Sequence, residues 1–368
     1  MKKFRGLVAG FCLAAGMVMQ GGSVSAEPFN PSEYAYRMRI TFTNFVGRGT
    51  LTNFPVLIRF NTDDNFYAGF SSTNGYDLRF DMPDSDGALN HDIDTWNTTG
   101  ESFVWVQMTN FTQNSVLWAY WGNEDAEQPA SATNGATWSG DYIAVWHMNE
   151  TNTVDAANNA KEGRTAGVLS VSTNATIGSS LSYSGGNGNG VLVTNEAGLF
   201  SRDGMAPFTA SAWMKAPTIS EWSRLIDQGL NGTDGWALAL HRDNFTATLG
   251  ARAGRPQAES TTVLNDNAWH HVVGTYDGSN LRIFIDGELE DTTASAEGPN
   301  VGSTELGLGA NPTGGESFVG LLDEARVSSV ARSTNWVWAS YQNQGTNHFS
   351  FVTYGSAGAA PGTVIILR

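Results

Sequence analysis

The sequence predicts an all-β protein made of two β-sandwich domains, and three observations carry that prediction. Short runs rich in β-branched and aromatic residues recur between Asn, Gly, Thr and Asp clusters along most of the chain. Its 368 residues include 42 glycines, 19 phenylalanines and 12 tryptophans, a composition suited to tight turns and buried sheet faces. Helical periodicity is almost absent, with one exception near the C-terminus.

The chain opens MKKFRGLVAGFCLAAGMVMQGGSVSA. Lys2, Lys3 and Arg5 precede an apolar run from Leu7 to Met19, and Val24 and Ala26 occupy the small-residue positions of a cleavage site. The expectation is a secretory signal peptide cut after Ala26, with no membrane span left afterwards because the apolar run is short and no stop-transfer pattern follows. Cys12, the only cysteine, lies within that leader, so the mature chain has no disulfide and no thiolate metal site. Phe11 before it argues against a lipid-anchored cysteine. Export to the periplasm, cell surface or medium is therefore expected, in a bacterium rather than in a disulfide-rich secretome.

Formal net charge is −16, and loss of Lys2, Lys3 and Arg5 with the leader takes the mature chain to −19. Only Lys161 and Lys215 remain as lysines. Such a surface disfavours nucleic acid and anionic membrane as partners.

Residues 34–123 form the first block. Val56, Ile58 and Phe60 alternate with Leu57 and Arg59, and Val104, Val106 and Met108 alternate with Trp105 and Gln107, which predicts half-buried antiparallel strands. DMPDSDGALNHDID at 81–94 lacks an acidic residue at the first position of an EF-hand loop, since Met82 stands there, so Asp84 to Gly87 reads as a hairpin turn. Asp92 and Asp94 share a strand face, but the sequence shows no third group in register with them. The sequons at Asn97 and Asn231 read as turn chemistry. The succession YAYRMRITFTNF, GYDLRFDMPDSDG and SVLWAYWGN resembles a bacterial family catalogued only as domain of unknown function 2341, and implies a small β-sandwich.

EDAEQPASATNGATWSG, residues 124–140, is polar, rich in small residues and holds Pro129, so it is expected to be a linker. Residues 141–345 then form a second block, and 346–368 a tail too sparse to fold alone. In AWHHVVGTYDGSNLRIFIDGELE, residues 268–290, His270 and His271 are neighbours on a strand and point to opposite faces, so they are poor co-ligands for one metal. Asp277-Gly278 and Asp286-Gly287 sit where hairpin turns are needed. Ser333 can cap a helix over 335–343 that ends at a left-handed Gly345 and places Trp336, Ala339 and Ser340 on one face.

With DYIAVWHMNETNTVDAANN at its start, WHHVVGTYDGSNLRIFIDGE late and GLLDEARVSSVAR near its end, the second block resembles the LamG-like, concanavalin A-like jelly-roll family. That resemblance implies calcium at the sandwich rim, with Asp155 and Asn158 of the Asp155–Asn159 loop and Asp323 as candidate ligands, an oxygen-rich set of the kind calcium prefers. A plain solvated loop is the alternative. It also implies a non-catalytic binding role, with a glycan or another cell-surface macromolecule as partner and Trp222 and Trp236 as candidate sugar-stacking rings, with a place in the core as the commoner alternative for each.

An architectural role in a surface assembly and glycoside hydrolysis are the competing readings. Hydrolysis needs two carboxylates facing one sugar. Asp323 and Glu324 are adjacent on a strand, and Glu288 and Glu290 alternate without a third carboxylate in step. No zinc-protease, nucleophile-elbow or phosphate-loop motif is found, and GGNGNG at 185–190 reads as a turn because no helix pattern follows it.

Overall fold

In the computed structural model, described residues are 29–360 except 63–65, 84, 86, 158–160, 196–197, 202–205, 220–221, 230–234, 242–245, 252–255 and 297–301. The leader, Asn158, Asn231, Asp84 and Asp86 lie outside the described residues. The remainder is antiparallel sheet with a few short helices.

The first sandwich begins with β1 (Tyr36–Phe42), β2 (Leu51–Phe60), β3 (Arg79–Asp81), β4 (His91–Thr95), β5 (Ser102–Phe111) and β6 (Val116–Trp121). One sheet is β2-β5-β4; in the other, β6 lies between β1 and β3. Val56, Ile58, Val104, Val106 and Met108 point into the core between the sheets, as their alternation predicts. The opposite face is buried too. Leu57, Phe103 and Trp105 pack with Trp138, Val145, Ala157 and Ile177 in a separate apolar cluster that joins the two sandwiches. The strands are therefore buried on both faces rather than half-buried, because the outer face is a domain seam.

The segment expected to be a linker is only partly open chain. After exposed residues near Glu124 it folds into α1 (Ser131–Asn134) and a single 3-10 turn, Ala136–Trp138, and Trp138 is fully buried in the seam.

The second sandwich contains β7 (Tyr142–Trp146), β8 (Gly163–Ala166), β9 (Leu169–Ser172), β10 (Ser180–Ser184), β11 (Gly190–Thr194), β12 (Phe208–Lys215), β13 (Ser223–Asp227) and β14 (Trp236–Leu240). It continues with β15 (Ala247–Ala251), β16 (Gln257–Glu259), β17 (Trp269–Tyr276), β18 (Asn280–Ile285), β19 (Glu288–Ala294), β20 (Glu305–Leu308) and β21 (Val319–Ser328). One sheet runs β19-β18-β17-β12-β21-β10-β9, with β7 also on β21, and faces a sheet ordered β16-β15-β14-β13-β20-β11-β8. Strands adjacent in sequence, such as β10 and β11, lie in different sheets, as a jelly roll requires. The GGNGNG turn makes that crossing.

The two Asp-Gly pairs are hairpin turns, β17 to β18 and β18 to β19. Asp286 and Gly287 both have positive φ, 52° and 86°, which suits a two-residue turn. His270 and His271 do part company. His270 Nδ1 meets Asp286 Oδ2 at 2.8 Å, whereas the His271 ring stacks on Trp213 at 5.0 Å.

The helix appears as α2 (Thr334–Gln344), and Ser333 Oγ accepts from Trp336 N at 3.2 Å. Gly345 departs from expectation: it is extended at φ −83°, with its N–H donating to Tyr341 O. The face carrying Trp336 and Ala339 enters the core of the first sandwich, where Trp336 meets Phe54 edge-on at 4.9 Å. Asn343 donates to and accepts from the backbone of Leu57, satisfying the edge of β2 much as another strand would.

Residues 346–360 are more than a tail. They form α3 (His348–Phe351), β22 (Val352–Tyr354) and β23 (Gly358–Ala359), and both strands pair with β1. The end of the chain thus returns to complete the first sandwich. Its isolated sequence is too poor in apolar residues to reveal this, because Phe351 and Val352 find their core in strands more than 200 residues earlier.

Candidate functional site

β4 places Asp92 and Asp94 at the seam, and the second sandwich supplies the third group that the sequence did not show. That group is His147, immediately after β7, with Glu324 of β21 behind it. His147 Nδ1 lies 2.7 Å from Glu324 Oε1 and 3.8 Å from Asp94 Oδ2, while its Nε2 lies 3.5 Å from Asp92 Oδ2.

Neighbours hold the outer atoms of this group. Asp92 Oδ2 accepts from Trp138 Nε1 at 2.9 Å, Asp94 Oδ1 accepts from Asn149, and Glu324 Oε2 accepts from Arg326 Nη2 at 2.6 Å. The Arg326 guanidinium lies over Trp105 at 4.2 Å and Trp138 at 4.8 Å, so the aromatic seam also supports its charge.

Burial shapes the protonation of this cluster. It pushes the Asp94 carboxyl up to about 6, against the attraction of His147. For His147 burial acts the other way, but Glu324 and Asp94 outweigh it and hold the imidazole well above its ordinary range. Glu324 is held below the usual carboxylate range, because His147 and Arg326 overcome the burial that would raise it. Asp323 is driven up by burial and by the Glu324 charge beside it.

The cluster forms part of the wall of an open cleft of about 410 Å³. Its polar lining includes Asp92, Asp94, His147, Asn149, Glu150 and Glu162 with two threonines, and no lysine or arginine contributes among the described residues. Asp155 lines the same cleft.

The residues expected from the sequence fare differently. Asp155 is buried, and its Oδ1 accepts from Val145 N and Ala157 N, tying its loop to β7. Asp323 is fully buried, and its Oδ2 accepts from Thr176 N and Ile177 N. Neither belongs to the one group of metal-ligand side chains found among the described residues, which is Asp94, His147 and Glu324. Trp236 is corrected outright: it is 1% exposed in the core and donates to Phe200 O, so no ring face is free for a sugar. Trp222 is half-buried, with His241 against its ring at 4.3 Å.

Glu324 was legible only as a neighbour of Asp323 facing the other way. The two do take different partners, but Glu324 sits at φ 51° beside a register shift between β12 and β21, so simple alternation could not aim it. His147 offered no signal beyond its place at a strand end. Glu290 accepts from Thr261 N and Thr262 N at a turn, which gives it a local structural partner.

Among solved structures, the chain is similar to the binding domain of Paraclostridial Mosquitocidal Protein 1 at 14% identity and a TM-score of 0.45, over 55% of this chain and 52% of that one. It is also similar to the binding domain of botulinum neurotoxin serotype G at 12% identity and a TM-score of 0.44, over 54% of this chain and 50% of that one. The chain thus spans about half the length of the structures it matches. No curated protein sequence matches it. Residues 185–337 match the family model described as the concanavalin A-like lectin/glucanases superfamily, and with its two facing antiparallel sheets the second sandwich is a LamG-like domain of that superfamily.

Proposed function

We propose that this chain is an exported, non-catalytic binding protein that recognises a glycan or another surface macromolecule through its LamG-like domain. The observation that carries this reading is the open cleft on that domain's seam, whose carboxylates and amide are hydrogen-bond acceptors and donors for sugar hydroxyls. Five acidic side chains without a facing lysine or arginine favour a neutral glycan over a sialylated or uronic one. Trp222 is the one aromatic candidate left for stacking. The leader sequence supports export.

The placement of Glu324 removes it as a hydrolytic carboxylate. A glycosidase needs an acid and a second carboxylate that both reach the sugar. Here Glu324 is 1% exposed, bonded to His147 on one oxygen and to Arg326 on the other.

A glycan array probed with the full mature chain tests the reading. Binding to neutral glycans is expected, weakened at least tenfold by Asp92→Asn and by Glu150→Gln with the circular dichroism unchanged. Release of reducing ends would move the protein to the hydrolases. No binding to any glycan would leave the architectural role.

A further inference from the structure

We infer that Asp94, His147 and Glu324 form a binding site for one divalent transition-metal ion, such as Zn²⁺ or Mn²⁺, that ties the first sandwich to the second. Three observations lead there. The donor atoms of the three side chains lie within 4.8 Å of one another. Asp94 Oδ2 is buried without a hydrogen-bond partner, on a side chain that is 0% exposed, and it is aimed at His147 Nδ1. A neighbour engages the outer atom of each ligand, Asn149 on Asp94 Oδ1, Arg326 on Glu324 Oε2 and Asp92 on His147 Nε2, which leaves the three inner atoms turned toward a common point.

The last arrangement is the one metal-ligating histidines use. A carboxylate on the far ring nitrogen fixes the tautomer, so that the near nitrogen presents its lone pair to the ion. With Nε2–H directed at Asp92, the proton that Nδ1 shares with Glu324 leaves to solvent as the ion binds. An ion about 2.1 Å from each donor draws ligand atoms to roughly 3.4 Å apart. The Nδ1 distances of 2.7 Å to Glu324 and 3.8 Å to Asp94 bracket that spacing, so small side-chain rotations suffice.

The donor set also selects the ion. One imidazole with two carboxylates suits Zn²⁺ or Mn²⁺, whereas calcium takes six to eight oxygens and gains little from a nitrogen. Asp94 and His147 line the cleft, which supplies an entry path and room for water in the remaining coordination positions. Because Asp94 belongs to one sandwich and His147 and Glu324 to the other, the bound ion would resist their separation.

Isothermal titration of the EDTA-treated, desalted mature chain with Zn²⁺, Mn²⁺ and Ca²⁺ tests the site. The expected result is one Zn²⁺ or Mn²⁺ per chain, bound at least tenfold more tightly than Ca²⁺, with a raised thermal midpoint. Asp94→Asn and His147→Gln should each lower the affinity at least tenfold. Asp92→Asn, outside the ligand set, keeps the inference testable if those two fail to fold, and should weaken binding by a smaller factor. No binding, calcium preference, or full affinity in His147→Gln or, in its place, in Asp92→Asn would overturn the assignment.

Discussion

Replacing Trp336 by Ala tests whether the C-terminal helix is part of the first sandwich. The ring is 8% exposed, lies edge-on to Phe54 at 4.9 Å and carries the Arg332 guanidinium at 4.0 Å. Loss of a buried tryptophan costs about 3–5 kcal/mol through transfer and cavity effects, and the aromatic pair and the cation over the ring place this site in the upper part of that range. With a urea slope of about 2 kcal/mol/M, the midpoint of the first sandwich should fall by roughly 2 M. Far-ultraviolet circular dichroism is the readout, since the substitution removes a fluorophore. A fall corresponding to less than about 1 kcal/mol would refute the packing argument, because a helix merely resting on a surface loses no more than that.

Three further outcomes follow from the same packing. His91, His271 and His348 are buried, and burial lowers their pKa values to about 4, 3 and 3. Because the folded values lie below the unfolded one, their stability contribution is complete above pH 6.5 and is lost as pH falls toward 4, at about 1.4 kcal/mol per unit for each. Urea midpoints should therefore drop between pH 6.5 and 5, by less than three rings alone would give because Asp94 and Asp323, raised in the fold, gain stability over the same window; His271→Phe should shrink the drop, and an unchanged drop would show that this ring is not held neutral. Asp155→Ala should lower the unfolding free energy equally in millimolar calcium and in chelator, by about 2–4 kcal/mol for two lost hydrogen bonds to a carboxylate; a loss seen only with calcium would support a rim calcium site at this loop. Limited proteolysis should cut within residues 124–128, most of which are exposed, and the two fragments should elute together under native conditions, since β22, β23 and α2 hold them. Separation of the fragments would show that the chain end does not belong to the first sandwich.

What the sequence determined by itself was local and periodic. Alternation marked the strands, Asp-Gly pairs marked the hairpins, and Ser333 marked the start of α2, because pleat, turn and cap depend on residues a few positions apart. The opposed directions of His270 and His271 followed from the same period. Tertiary structure alone decided the rest. Leu57 and Trp105 looked like outward residues until a second sandwich covered them, and whether Trp236 was core or platform was decided only when a core closed around it. Asp94 and His147 meet across 53 positions, and His147 meets Glu324 across 177 more. A shared site of that kind is set by how two sheets pack and by the bulge that turns Glu324, and neither leaves a periodic trace in the chain.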